Sequence, residues 1–107
     1  MGFNLALLGE HEKAIELCRR AVTILADVED RRGQAHTWDS LGDIHLAAGD
    51  AGEAINSYRR ALDCFRHLGA IKEEARVLWR LAEAHENHGD PDAAAKARAD
   101  AELTDIV

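Results

Sequence analysis

The sequence predicts an all-α protein of antiparallel helix hairpins stacked into a short solenoid of about two and a half repeats. Three observations predict it. Slid against itself, the chain falls into register at an offset of 40, where Gly9, Gly49 and Gly89 coincide, as do Ala14, Ala54 and Ala94, and Ala21, Ala61 and Ala101. Each period holds two stretches whose apolar residues recur in steps of three and four, the spacing of one helical face. The composition is rich in alanine and leucine, with 5% aromatic residues and one proline, which favours helices over strands.

Taken in order, residues 1–29 form a partial first repeat. Its opening stretch, Gly2 to Leu8, is less than half the length of its counterparts, with Gly9 in the place of a joint. The second repeat spans residues 30–69. In its first helix, Asp30 to Ala48, the residues Ala35, Trp38, Leu41, Ile44 and Ala48 form the apolar face. Gly49 ends that helix because it takes a positive φ without a Cβ clash. Asp50 then caps the next helix, with Glu53 three positions on. That helix runs from Ala51 to Leu68 with Ala54, Ile55, Tyr58, Ala61, Leu62 and Phe65 on one face, and Gly69 stops it. The third repeat, residues 70–107, restates the joint as Gly89-Asp90-Pro91, where proline at the first helical position forfeits no hydrogen bond. Its last helix reaches about Ile106. The acidic pairs Glu29-Asp30 and Glu73-Glu74 fall at helix starts, where negative charge favours the macrodipole.

The residues at these positions resemble a named family. Trp38-x2-Leu41-Gly42-x2-His45 followed by Ala54-x3-Tyr58-x2-Ala61 is similar to the tetratricopeptide motif, with histidine in the tyrosine place. The third copy keeps Leu81, Ala82, His85, Ala94 and Ala101 but carries Leu78 in the tryptophan place and Arg98 in the aromatic place. The first retains Gly2, Ala14, Cys18 and Ala21. The resemblance implies a right-handed solenoid whose small residues, Gly42, Ala54 and Ala61, let paired helices approach while Trp38, Leu41, Tyr58 and Phe65 fill the volume. A period of 40 rather than the family's usual 34 is similar to the repeats of kinesin light chain and to the C-terminal arrays of large bacterial transcriptional regulators. The arginine-, alanine- and aspartate-rich wording suits the bacterial group, and with it a cytoplasmic location.

The two ends differ. The last helix interrupts its alanines with Asp92, Lys96, Arg98, Asp100, Glu102 and Asp105, the polar outer face a terminal repeat requires. At the start, Phe3, Leu5, Leu7 and Leu8 have no preceding unit to cover them. The expectation is a C-terminal piece of a longer array, or self-association through the N-terminal end.

In the family, the first helix of each pair lines a concave groove that receives peptides or helices. Carried over by position, the groove comprises His36, Asp39, Asp43, Leu46 and Ala47 from the second repeat, and Arg76, Trp79, Arg80, Glu83 and Asn87 from the third. Trp79 sits one residue past Leu78, a rotation of about 100°, so it faces away from the direction of Trp38. It is either an exposed anchor or packs against the helix from Asp30 to Ala48. Arg76 and Arg80 share a helical face and stand where basic residues hold a carboxylate in the chaperone-binding members of the family. The rest of that clamp is missing, with Ser40 in an asparagine place, and Asp39 and Asp43 are placed to pair with both arginines internally. Internal salt bridges are the expectation, and chaperone binding is not.

Other classes of function find less support. A net charge of −7 opposes nucleic acid and anionic membranes. Neither an export signal nor a run of about 20 apolar residues is present. Cys18 and Cys64 lie far apart without metal-type spacing and read as reduced thiols. His85 and His88, three apart, offer two nitrogens, but no further ligand set completes a metal site. With no phosphate loop and no nucleophile beside a histidine, the chain reads as a non-catalytic protein- or peptide-binding module without cofactor.

Overall fold

The computed structural model describes residues 2–27 and 29–106, with side chains from residue 10 onward. Among the described residues five helices follow one another: α1 (Gly2–Asp27), α2 (Arg31–Ala47), α3 (Ala51–Leu68), α4 (Ile71–Asn87) and α5 (Pro91–Ile106). Each packs against the next, α1 on α2, α2 on α3, α3 on α4 and α4 on α5. The result is a slab of 46 × 37 × 15 Å rather than a closed bundle. Its radius of gyration, 14.4 Å, exceeds the roughly 13 Å expected of a compact chain this long.

The joints follow from residue chemistry. Gly49, Gly69 and Gly89 all have positive φ, at 84°, 68° and 82°. Each closes the helix before it with the same pair of bonds: Gly49 N–H to the Leu46 carbonyl at 3.1 Å, and Asp50 N–H to that of His45 at 2.8 Å, recur as Gly69 to Arg66 and Ala70 to Phe65, then as Gly89 to Glu86 and Asp90 to His85. The bend before α2 uses the same bonds, but Glu29 occupies the left-handed position at φ 58°. Asp30, Asp50 and Asp90 then cap the following helices, accepting from the N–H of Gly33, Glu53 and Ala93 at 2.8, 3.2 and 3.1 Å. Ala70, which precedes α4, supplies no side-chain cap.

The expected joint at Gly9 is not there: α1 runs through it as one helix of 26 residues. Gly9 is followed by Glu10, a helix former that lacks the short reach of Asp50 or Asp90 as a cap. A separate helix over Gly2–Leu8 would also be too short to offset its nucleation cost. The side chains of Phe3, Leu5, Leu7 and Leu8 lie outside the described residues. Further along α1, Leu17 and Ile24 are 65% and 61% exposed, whereas their equivalents on α3, Ser57 and Cys64, are buried and half-buried.

The core joins α3 to its neighbours through Ala54, Ile55, Tyr58, Ala61, Leu62 and Phe65, met by Ala35 from α2 and Val77, Leu78, Leu81 and Ala84 from α4. Gly42 sets the approach of α2 to α3, since a Cβ there would lie 2.5 Å from the Tyr58 ring. On α5 the buried residues are only Ala94, Ala97 and Ala101. Where α3 turns Tyr58, Leu62 and Phe65 inward, the equivalent residues of α5 are Arg98, Glu102 and Asp105.

Candidate functional site

Helices α2 and α4 lie side by side along one face of the slab, and the polar residues assigned to the groove meet there in rungs. Arg76 Nη2 donates to Asp39 Oδ2 at 2.7 Å. One turn on, Arg80 Nη1 donates to Asp43 Oδ1, and the Tyr58 hydroxyl reaches up from α3 to the same oxygen at 2.5 Å. The i, i+4 spacing on each helix makes this ladder possible, because it puts both acids of α2 and both arginines of α4 in line. The internal ion pairs expected for these residues therefore form, and both arginines are engaged within the chain.

Their electrostatics differ by depth. Asp39 is 6% exposed and its Oδ1 has no hydrogen-bond partner. Burial pushes its carboxyl above the usual range, and Arg76 offsets that only in part. Tyr58 is fully buried, and loss of hydration together with the bond to Asp43 drives its hydroxyl strongly upward, so it acts as a donor. Asp43 sits nearer the surface and collects two donors, which fixes it.

Beside the ladder a shallow cleft is lined by Asp43, Leu46, Ala47, Tyr58, Arg80, Glu83 and Asn87. Leu46 and Ala47 form an apolar wall, and Glu83 and Asn87 are exposed and make no hydrogen bond among the described residues. The other assigned residues lie off this cleft. His36 is solvent-exposed on α2 with its ring edge-on to Phe65, at 5.1 Å between centroids. Asp39 and Arg76 form the far end of the ladder, with Asp39 buried and Arg76 half exposed. Trp79 is bonded to α5. Its indole N–H donates to Asp105 Oδ2 on α5 at 3.3 Å, and the side chain stays 39% exposed on the edge of the slab. Forty residues earlier that place belongs to Asp39, which α4 covers.

Sequence reasoning missed the Tyr58 hydroxyl, because the ring alone accounts for the residue's place in the core. The family's aromatic place accepts phenylalanine equally well, so choosing tyrosine was the available signal. Among the described residues no group of three His, Cys, Asp or Glu side chains could hold a metal ion, and no helix is long and apolar enough to cross a membrane. Cys18 and Cys64 are free thiols, both pushed up by burial.

A stack of glycine-punctuated helix hairpins with side chains aligned along one face defines a helical-repeat protein of the kind that binds other proteins. Comparison with known families places it further. Two tetratricopeptide repeat models match the chain, over residues 1–67 and 40–105. The chain belongs to the tetratricopeptide repeat family. It is also 31% identical over 75 residues to the 43 kDa receptor-associated protein of the synapse from Tetronarce californica, covering 70% of this chain but 18% of that protein. No solved structure matches.

Proposed function

We propose that the chain is a non-catalytic module that takes a peptide or helix of a partner protein in the groove between α2 and α4. The observation that carries this reading is the ladder of Asp39–Arg76 and Asp43–Arg80, braced by Tyr58. It holds the groove's long side chains in place before any partner arrives, which spares about 0.5–1.5 kcal/mol of ordering cost for each. The same pairing argues against a clamp for a free carboxylate, since both arginines are already used. What remains for a partner is the apolar wall of Leu46 and Ala47 with the polar rim of Glu83 and Asn87, suited to an amphipathic segment. Trp79 extends this surface at its edge. A relative named for association with a receptor is in keeping with protein binding as the task.

Peptide display against the chain tests this. Selected peptides should lose about tenfold or more in affinity against Ala47→Lys with Asn87→Ala, both exposed positions, while the melting temperature holds. Trp79→Ala should weaken them less. If the groove variants bind as tightly as the parent chain, the groove is not the site.

The forty-residue period and arginine- and alanine-rich wording support placing the module in a bacterial cytoplasmic regulator. A coding sequence lacking any upstream ATPase or DNA-binding domain would remove that placement. A second reading, a self-associating segment of a larger array, is favoured by the exposure of Leu17 and Ile24 on α1. Sedimentation across concentration separates the two. Association abolished by Leu17→Lys with Ile24→Lys supports the second reading, and a monomer at every concentration disposes of it.

A further inference from the structure

On the far side of α2 from the groove, α1 and α3 flank a second cleft, about 600 Å³ in volume, with α2 as its floor. Arg19, Arg59 and Arg60 line its walls, and Trp38, Leu41 and His45 its base. Three features set it apart. The chain carries a net charge of −7, yet three arginines converge here. Among the described residues none of the three is within ion-pair distance of a carboxylate, a state shared by Arg31 and Arg32, whereas Arg20, Arg66, Arg76, Arg80 and Arg98 are paired. Arg60 is instead stacked over the Trp38 ring, its guanidinium carbon 4.9 Å from the centroid, which fixes its planar fork.

The floor supplies the third feature. His45 is 5% exposed and its Nε2 has no hydrogen-bond partner. Burial leaves that nitrogen without a partner, as it leaves Asp39 Oδ1 beside the groove. The arrangement also repeats. Forty residues on, Arg59, Leu81 and His85 line a cleft between α3 and α5 with Lys96 on its wall, although Asp100 lines it in the place of Arg60. Arg59 and Asp63 line both clefts, so the two are continuous along this face.

We propose that this second face binds an acidic segment of a protein partner, one carboxylate seated between Arg19 and Arg60 above His45 and the next between Arg59 and Lys96 above His85. Arginine forks match carboxylates in two parallel bonds. Glu53 and Asp63 also line the first cleft, so a singly charged carboxylate is favoured over a phosphate dianion. The repeat spacing suits an extended peptide that presents acids at intervals.

Anisotropy of a fluorescein-labelled, amidated hexaglutamate peptide on the intact chain is the test. A saturable rise is expected, with affinity reduced about fivefold or more in Arg60→Gln and in Arg19→Gln, both exposed positions. In a Trp79→Phe background Trp38 is the remaining tryptophan, and its emission should shift over the same titration. Ala47→Lys with Asn87→Ala should leave the affinity within about twofold, which keeps this site distinct from the groove. Loss in the groove variant, equal binding by both arginine variants, or full displacement by inorganic phosphate at the peptide's own concentration would each overturn the assignment.

Discussion

Replacing Gly42 by alanine isolates the close approach that sets the hairpin. An added Cβ would meet Tyr58 Cε1, Cδ1 and Cζ at 2.5, 2.6 and 2.9 Å, where carbon atoms rest at about 3.5–4.0 Å. Relief requires the ring to move by about 1 Å. The ring is fully buried, and its hydroxyl is bonded to Asp43, so it has no free direction in which to swing. Overpacking of this kind costs about 1–3 kcal/mol, and three ring atoms in conflict put it in the upper part of that range. Alanine returns about 1 kcal/mol of helix propensity. The net loss is about 1–2 kcal/mol, a fall of roughly 5–10 °C in Tm for a domain of this size. The third repeat supplies the control, because Ala82 holds the Gly42 place and Arg98 the Tyr58 place. Ala82→Gly should cost the propensity difference of about 1 kcal/mol plus about 1 kcal/mol for the buried methyl it removes. Urea unfolding followed by circular dichroism measures both. In a Tyr58→Leu background, Gly42→Ala should change sign and stabilise by about 0.5–1 kcal/mol. A stabilising Gly42→Ala in the parent chain, or a cost that survives loss of the Tyr58 ring, would refute the reasoning.

Two further predictions concern charge and backbone. Arg76→Gln should cost about 1–2 kcal/mol, less than a fully buried pair because Arg76 is half exposed, while Asp39→Asn should change stability by no more than about 1 kcal/mol. The folded carboxyl of Asp39 lies above its ordinary value, so its contribution is greatest in acid and is lost as pH rises through the folded value. Urea titrations at neutral pH and at the most acid pH at which the chain stays folded should therefore show Asp39→Asn gaining on the parent chain at the higher pH. Separately, Glu29→Gly should stabilise by about 0.5–1 kcal/mol, because Glu29 at φ 58° does what Gly69 does at φ 68° one repeat later. Thermal unfolding reads that gain directly.

The helix boundaries were legible wherever a glycine was followed by a capping residue or proline. Gly49-Asp50 and Gly89-Asp90-Pro91 carry both the end of one helix and the start of the next in adjacent letters. Gly9-Glu10 carries only half of that signal, and the helix ran on. The ladder could be read because its four members repeat at helical spacing with opposite signs on α2 and α4. Tyr58 could not, since a residue that fills the core with its ring gives no hint of where its hydroxyl ends. Trp79 shows the limit of facing by rotation: one residue past the motif position sent it to the slab's edge and to Asp105, a contact set by the polar replacements on α5. The second cleft was hidden for a different reason. Arg19-Arg20 and Arg59-Arg60 are visible as a repeat in the sequence, but only the stacking of α1 and α3 over α2 brings Arg19, Arg59 and Arg60 to one place with His45.

The most direct test of groove binding maps a display-selected peptide onto the ¹⁵N-labelled chain by amide chemical shifts. Binding between α2 and α4 predicts the largest shifts at Asp43, Leu46, Ala47, Glu83 and Asn87, with Trp79 at the margin. Shifts confined to α1, α3 and α5, with those five amides unmoved, would contradict it.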